Sequence, residues 1–283
     1  MNNLSLVDLK GVSEPIVKLI DCISSAAGVL YEPTRIRRKA DATAYETLVK
    51  AKTEGIISDL ELRTIYRMLE KETKRQLNIE EIVKQAADFA PEQSTSDKKP
   101  EDEWLTDFFD LCQNASSEKM QSLWARLLSG EVDQPGSFSR RTMQSIKLMS
   151  VEEANLYTQV CGCVWKISEE SLGTGYAVIL DTDEKGRYSD ETWGFDGSKI
   201  TLLESLNLAE YRFFDFDIRK NYSIEFNGEN YPILLSNDNE RLEIFDLSPI
   251  GVELYPICGH SPNLEYYNTT VEYMARRSLI LDD

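Results

Sequence analysis

Histidine is almost absent: His260 is the one histidine in 283 residues. A histidine-rich metal enzyme is thereby excluded. Cysteine is scarce and odd in number, with Cys22, Cys112, Cys161, Cys163 and Cys258. A long chain with an unpaired cysteine does not read as a disulfide framework, and a reducing compartment is expected. Cys161 and Cys163 form a C-x-C, but no second pair or histidine cluster accompanies them. Buried free thiols are therefore expected, with no metal and no cofactor. No uncharged apolar window of about 18 residues occurs, so no membrane-spanning helix is expected. The start of the chain, MNNLSLVDLKGVSEP, lacks a basic segment and a small-residue cleavage site, so no secretory signal is expected either. These readings place the protein in the cytoplasm, with peripheral contact to the inner membrane as the variant.

Basic residues are also few. Lys and Arg number 31 against 49 Asp and Glu, a net charge of −18. The deficit is uneven. Residues 1–150 hold 21 basic and 24 acidic side chains, net −3, and residues 151–283 hold 10 and 25, net −15. Phosphate-backbone binding draws its affinity from clustered Lys and Arg. Nucleic acid is thus an unfavoured partner, above all for the C-terminal half. What the chain does have is 41% hydrophobic residues, enough for a sizeable core.

Ser13, Glu14 and Pro15 read as a helix start, followed by Ile16, Leu19, Ile20 and Ile23 at helical spacing and then a basic cluster, Arg35, Arg37, Arg38 and Lys39. Two readings compete. The segment packs against its own core or a second subunit, or it lies on an anionic membrane surface. Residues 40–90 read as helical, with a break at Gly55 and a capping box at Ser58 and Glu61. Their charged, sparsely apolar pattern predicts an antiparallel pair or a protruding arm that drives oligomerisation. Residues 91–103, PEQSTSDKKPEDE, contain no large apolar side chain and read as a linker.

Residues 104–167 read as a helical module. Its apolar faces carry Trp104, Phe108, Trp124, Leu127, Met143, Ile146 and Trp165, with Ser150 capping its last helix. From residue 168 the texture becomes mixed. Strand-like runs at 176–180, 222–226, 231–235 and 242–245 surround a short helix at 202–210, an Asn227-Gly228 turn, and a final helix at 263–279. The expected fold is α+β and mostly α. It has long N-terminal helices (1–90), the linker, the helical module and a C-terminal domain (168–283). A short helix, a hairpin and L-S-P-I-G-V-E-L entering a helix are similar to a winged helix. The helix at 202–210 has no basic residue, so this similarity bears on fold and not on DNA reading.

No motif announces a reaction. Cys258 and His260 sit two apart in one loop, where a surface histidine is the plainer reading than a catalytic pair. Gly173 and Gly175 lack the third glycine and the lysine of a phosphate cradle. Asp181 to Gly186 matches half of a calcium loop, but Thr192 stands where the bidentate glutamate is needed. Arg140 and Arg141 open a helix after Pro-Gly-Ser-Phe-Ser and are candidates for an anion or a partner, against a plain ion-paired helix start.

Three blocks carry a family resemblance. They are residues 11–42, residues 103–157 with W-A-x-x-L-x-G-E and P-G-S-F-S-x-R-T, and residues 247–259, LSPIGVELYPICG. Together they resemble the prokaryotic family called domain of unknown function 2806. The resemblance implies a bacterial cytosolic protein without catalytic residues to carry over. Related helical families imply a setting of abortive infection. The expectation is a non-enzymatic interaction protein that associates with itself and with another protein, in stress or anti-phage defence. A membrane-acting effector using residues 14–39 and a nucleic-acid-binding regulator are the alternatives. No small-molecule substrate is evident.

Overall fold

A computed structural model of the chain describes residues 17, 19, 46–47, 49–55, 58–92, 96, 98–169, 174–181, 193, 195–215, 222–232 and 241–280. The protein is α+β and mostly α. It divides into two compact units, Met1–Lys147 and Leu148–Asp283.

In the first unit, residues 49–53 are helical and Gly55, at a φ of 72°, turns the chain out of that helix. The long helix α1 (Asp59–Asp88) then starts at the expected capping box. The Ser58 hydroxyl accepts from the Glu61 N–H, and the Glu61 carboxylate accepts from the Ser58 N–H at 2.7 Å. Next come α2 (Asp102–Cys112), α3 (Glu118–Asp133) and α4 (Arg140–Leu148). The C-terminal half of α1 buries Asn78, Ile82, Val83 and Ala86, and α1 packs mainly on α3. Asn78 fixes the register, donating to the Gln113 carbonyl at 2.9 Å and accepting from Gln121. Residues 91–103 therefore join two parts of one core, and Pro100 within them is buried. A helix with half of its length packed on α3 cannot form a domain of its own.

The second unit opens with α5 (Val151–Cys161), which has its own capping box at Ser150 and Glu153. The strands are β1 (Trp165–Glu169), β2 (Thr174–Leu180), β3 (Ala209–Asp215), β4 (Tyr222–Phe226), β5 (Glu229–Pro232) and β6 (Arg241–Leu247). Helix α6 (Gly197–Ser205) precedes β3, and α7 (Pro249–Leu254) and α8 (Leu264–Arg276) follow β6. The sheet is antiparallel, in the order β3-β6-β2-β1-β4-β5. Two boundaries differ from the sequence reading. Residues 151–165 belong with the sheet, because Trp165 is a strand residue pairing with Val178. The helix expected at 202–210 runs instead from Gly197 to Ser205, and so includes Lys199. Asp196 caps its start, accepting from the Lys199 N–H at 2.9 Å, and Asn207, at a φ of 58°, ends it. The short helix, the hairpin and the L-S-P-I-G-V-E-L helix occur in the expected order, as parts of a six-stranded sheet.

Trp165 centres the core of this unit. Its ring lies 4.8 Å from Phe226 and stacks on Tyr267 of α8 at 5.8 Å, and its indole N–H donates to Thr270 at 3.2 Å. Tyr266, also on α8, is fully buried. Its hydroxyl accepts from the Leu180 N–H at 2.7 Å and donates to the Leu180 carbonyl at 3.2 Å. On α7, Gly251 lies against the turn between α6 and β3. A Cβ there would stand 2.1 Å from the Leu208 carbonyl oxygen, which also accepts from the Ser248 N–H at 3.0 Å. The buried Tyr157 hydroxyl of α5 donates to the Gly251 carbonyl at 2.5 Å. Backbone rather than a pliable side chain opposes any added atom. Gly251→Ala is expected to lower stability by about 3 kcal/mol or more. Urea unfolding followed by circular dichroism measures it, and a midpoint equal to wild type would contradict the packing described.

Candidate functional site

The loop between α3 and α4 holds the most distinctive sequence block. Glu131, in the last turn of α3, is almost wholly buried. Its carboxylate accepts from the Gly136 N–H at 2.7 Å and from the Phe138 N–H at 3.0 Å. Burial pushes the Glu131 carboxyl upward, and the N–H groups of Gly136, Phe138 and Ser137 oppose that push. The Phe138 ring sits over Gly130, where a Cβ would meet it at 2.8 Å. The Phe138 carbonyl accepts from the Trp104 indole N–H at 2.8 Å. Trp124 and Phe108 meet edge to face beneath, at 5.4 Å. The block is thus a clasp that ties the α3–α4 loop to α2.

Arg140 opens α4 and meets carboxylates rather than an open anion pocket. It donates to Glu103 at 2.9 Å and lies 3.2 Å from Asp107, both on α2. Glu103, and after it Asp107, raises the guanidinium further above its usual range. Arg141 is exposed. Of the N-terminal candidates, Leu19 is helical and only 2% exposed, so it faces packing rather than an open surface. Ile16, Ile20, Ile23, Arg35, Arg37, Arg38 and Lys39 lie outside the described residues. Among the described residues no helix is long and apolar enough to cross a membrane, and no group of three His, Cys, Asp or Glu side chains could hold a metal ion.

Two features stand out. The first is on α1, where every residue from 67 to 74, RMLEKETK, is exposed. Met68 is 58% and Leu69 50% exposed, and Leu60 and Leu77 are exposed on either side of the stretch. The second is a thiol cluster in the second unit. The segment after α7 crosses the last turn of α5. There the Thr158 hydroxyl donates to the Cys258 carbonyl at 3.2 Å, and the Asn263 N–H donates to the Gly162 carbonyl at 2.8 Å. This crossing sets Cys258 beside Cys161 at the end of α5. The His260 Nδ1 is 3.4 Å from the Cys258 sulfur, and the His260 ring lies 4.4 Å from that of Tyr255. Donation by the Cys161 thiol, and then by His260, holds the Cys258 thiol below its usual range, against the effect of burial. Burial drives Cys161 well above its usual range and pushes Cys163 up to about 12. Cys112, Cys161, Cys163 and Cys258 are all buried free thiols. The sequence shows the two-residue spacing of Cys258 and His260. The partner Cys161, 97 positions earlier, is visible in sequence only as half of a C-x-C with Cys163, and nothing there links it to Cys258.

A family model described as "Protein of unknown function (DUF2806)" matches residues 62–271. The match covers most of the chain, and the chain belongs to this family. No curated protein and no solved structure matches it. The matched span takes in the clasp, the α7 block and the thiol cluster.

Two carboxylates give tests of this geometry. Glu131→Gln replaces an acceptor with a donor facing a backbone N–H, so a loss of about 1–3 kcal/mol is expected. Thermal unfolding checks it, and an unchanged midpoint would remove the clasp. Asp246 on β6 is buried, 3.2 Å from Arg212. Burial raises it from 3.8 to about 6, Arg212 opposes, and Glu210 adds to the rise. The folded state therefore holds this proton more tightly than the unfolded chain, so the contribution is full below pH 4 and lost as pH rises through about 6. Asp246→Asn stays neutral throughout. Its stability relative to wild type should improve between pH 4.5 and 7.5, and an equal gap at both would contradict the shift.

Proposed function

We propose that this member of the DUF2806 family is a non-enzymatic interaction protein that associates with itself through its N-terminal helical region. The exposed stretch of α1 carries the reading. A helix that leaves eight consecutive residues in solvent, with the adjacent Met68 and Leu69 among them and Leu60 and Leu77 exposed on either side, carries apolar side chains that a partner helix can cover. The flanking Glu70, Lys71, Glu72 and Lys74 supply both signs of charge, which suits a helix paired with an antiparallel copy of itself. Most of a helix's stability comes from packing of its apolar positions, so association would stabilise this exposed stretch. The anti-phage or stress setting, and a second protein as partner, extend this reading from the family resemblance.

Neither alternative draws comparable support. The acid excess of residues 151–283, 25 against 10, repels a phosphate backbone. For the membrane reading, Leu19 is buried.

Light scattering on the full chain is the test. Wild type should have a mass that is a multiple of the 32.3 kDa chain. Met68→Glu with Leu69→Glu should reduce it to the single-chain value. Both positions are solvent-exposed, so folding should be retained and visible in an unchanged circular dichroism spectrum. A wild-type protein already at the single-chain mass, or a variant with undiminished mass, would overturn the proposal.

A further inference from the structure

We propose that Cys258 and Cys161 form a redox-active thiol pair that a hydroperoxide oxidises, with Cys258 as the attacking sulfur and Cys161 as the resolving one. The geometry carries it. The crossing of the 258–263 segment over α5 sets Cys258 beside Cys161, 97 residues earlier in the chain. A histidine nitrogen lies 3.4 Å from one sulfur only, that of Cys258. In the thiol state Cys258 donates to the Tyr255 carbonyl at 3.3 Å, and in the thiolate state it accepts from Cys161. The pair is thus asymmetric: Cys258 has the groups that support a thiolate, and Cys161 keeps its proton.

Cys163, two residues after Cys161, is wholly buried and its thiol is pushed up to about 12 by burial, so it keeps its proton. Tyr157 on α5 is buried next to Cys161, and burial raises its hydroxyl well above the usual range. The Tyr255 ring lies tilted against His260, and burial pushes its hydroxyl up to about 12. Lys166 on β1 lies 5.8 Å from the Tyr255 ring and pairs with Glu225 at 3.0 Å. Both tyrosines remain protonated and neutral. The donors available to a Cys258 anion are then the Cys161 thiol and the imidazole.

Access selects the class of oxidant. Cys258 is 6% exposed, while its neighbours Gly259 and Ser261 are exposed and His260 is half-buried. A small peroxide can reach such a sulfur where a bulky disulfide cannot. The Cys258 thiolate attacks one peroxide oxygen. An S–O bond forms, the O–O bond breaks, and the departing oxygen takes a proton to leave as water or alcohol. Cys258 is now a sulfenic acid. The Cys161 sulfur attacks it, the S–S bond forms and the S–O bond breaks. The thiol proton leaves with the hydroxide as water. Two electrons pass from the sulfur pair to the peroxide.

Hydrogen peroxide added to the full chain, followed by mass spectrometry, tests the inference. Wild type should lose about 2 Da, with a peptide joining Cys161 to Cys258, and dithiothreitol should reverse it. Cys161→Ser should stop at the sulfenic acid and give a dimedone adduct at Cys258. His260→Gln should slow oxidation by about tenfold while leaving the same two residues joined. The wild-type mapping stands alone if a variant fails to fold. Consumption of free glutathione in the same tube with Cys258 unmodified would overturn the proposal, and so would Cys258 joined to any other cysteine.

Discussion

Close approach of backbone to loop, with no room for a side chain between, is the constraint on which both units depend. At Gly251 the start of α7 comes so near the turn between α6 and β3 that a Cβ would stand 2.1 Å from the Leu208 carbonyl oxygen. That contact fixes α7, and α7 fixes the segment that carries Cys258 and His260 across α5. At Gly130 the same device lets the Phe138 ring cover α3, and the ring holds the loop that leads into α4. Apolar burial supplies most of the free energy in each unit. The glycine contacts decide which loop conformation that burial selects.

Buried polar groups follow the same plan. Glu131, Tyr157, Tyr266 and the Trp104 indole each hydrogen-bond to backbone outside their own helix. Each satisfies its own polar atoms and pins a loop or strand at once. The most recognisable residues of the chain, those of the W-A-x-x-L-x-G-E and L-S-P-I-G-V-E-L blocks, are in this sense architectural. Their types are demanded by space and by backbone N–H groups that need an acceptor.

Much of the fold was legible from sequence because local signals agreed. Ser58, Ser117, Ser150 and Asn263 cap helices where a capping residue precedes an apolar period. Asn227 and Gly228, both at positive φ, turn the β4–β5 hairpin. Less legible was anything set by distant pairing. Trp165 looks like the end of a helix until Val178 pairs with it. The α6 helix was shifted because the cap at Asp196 is a weak signal beside the apolar run at 202–208. Of the candidate site, Cys258 and His260 were visible as neighbours, and Arg140 was readable as an ion-paired helix start. Cys161 was not visible as their companion, since only the crossing of the 258–263 segment over α5 makes it one.

Function in this account rests on what α1 leaves uncovered. The helix is anchored on α3 through Ile82, Val83 and Ala86 and buries Leu62 near its start, so the exposed stretch at 67–74 lies between two packed ends. A surface presented in that way suits a partner helix better than a small ligand. Hydrogen exchange of residues 67–74 across a range of protein concentrations tests the claim most directly. The account predicts that exchange in this stretch slows as concentration rises, while the α3 core is unaffected. Exchange at one rate across all concentrations would contradict it.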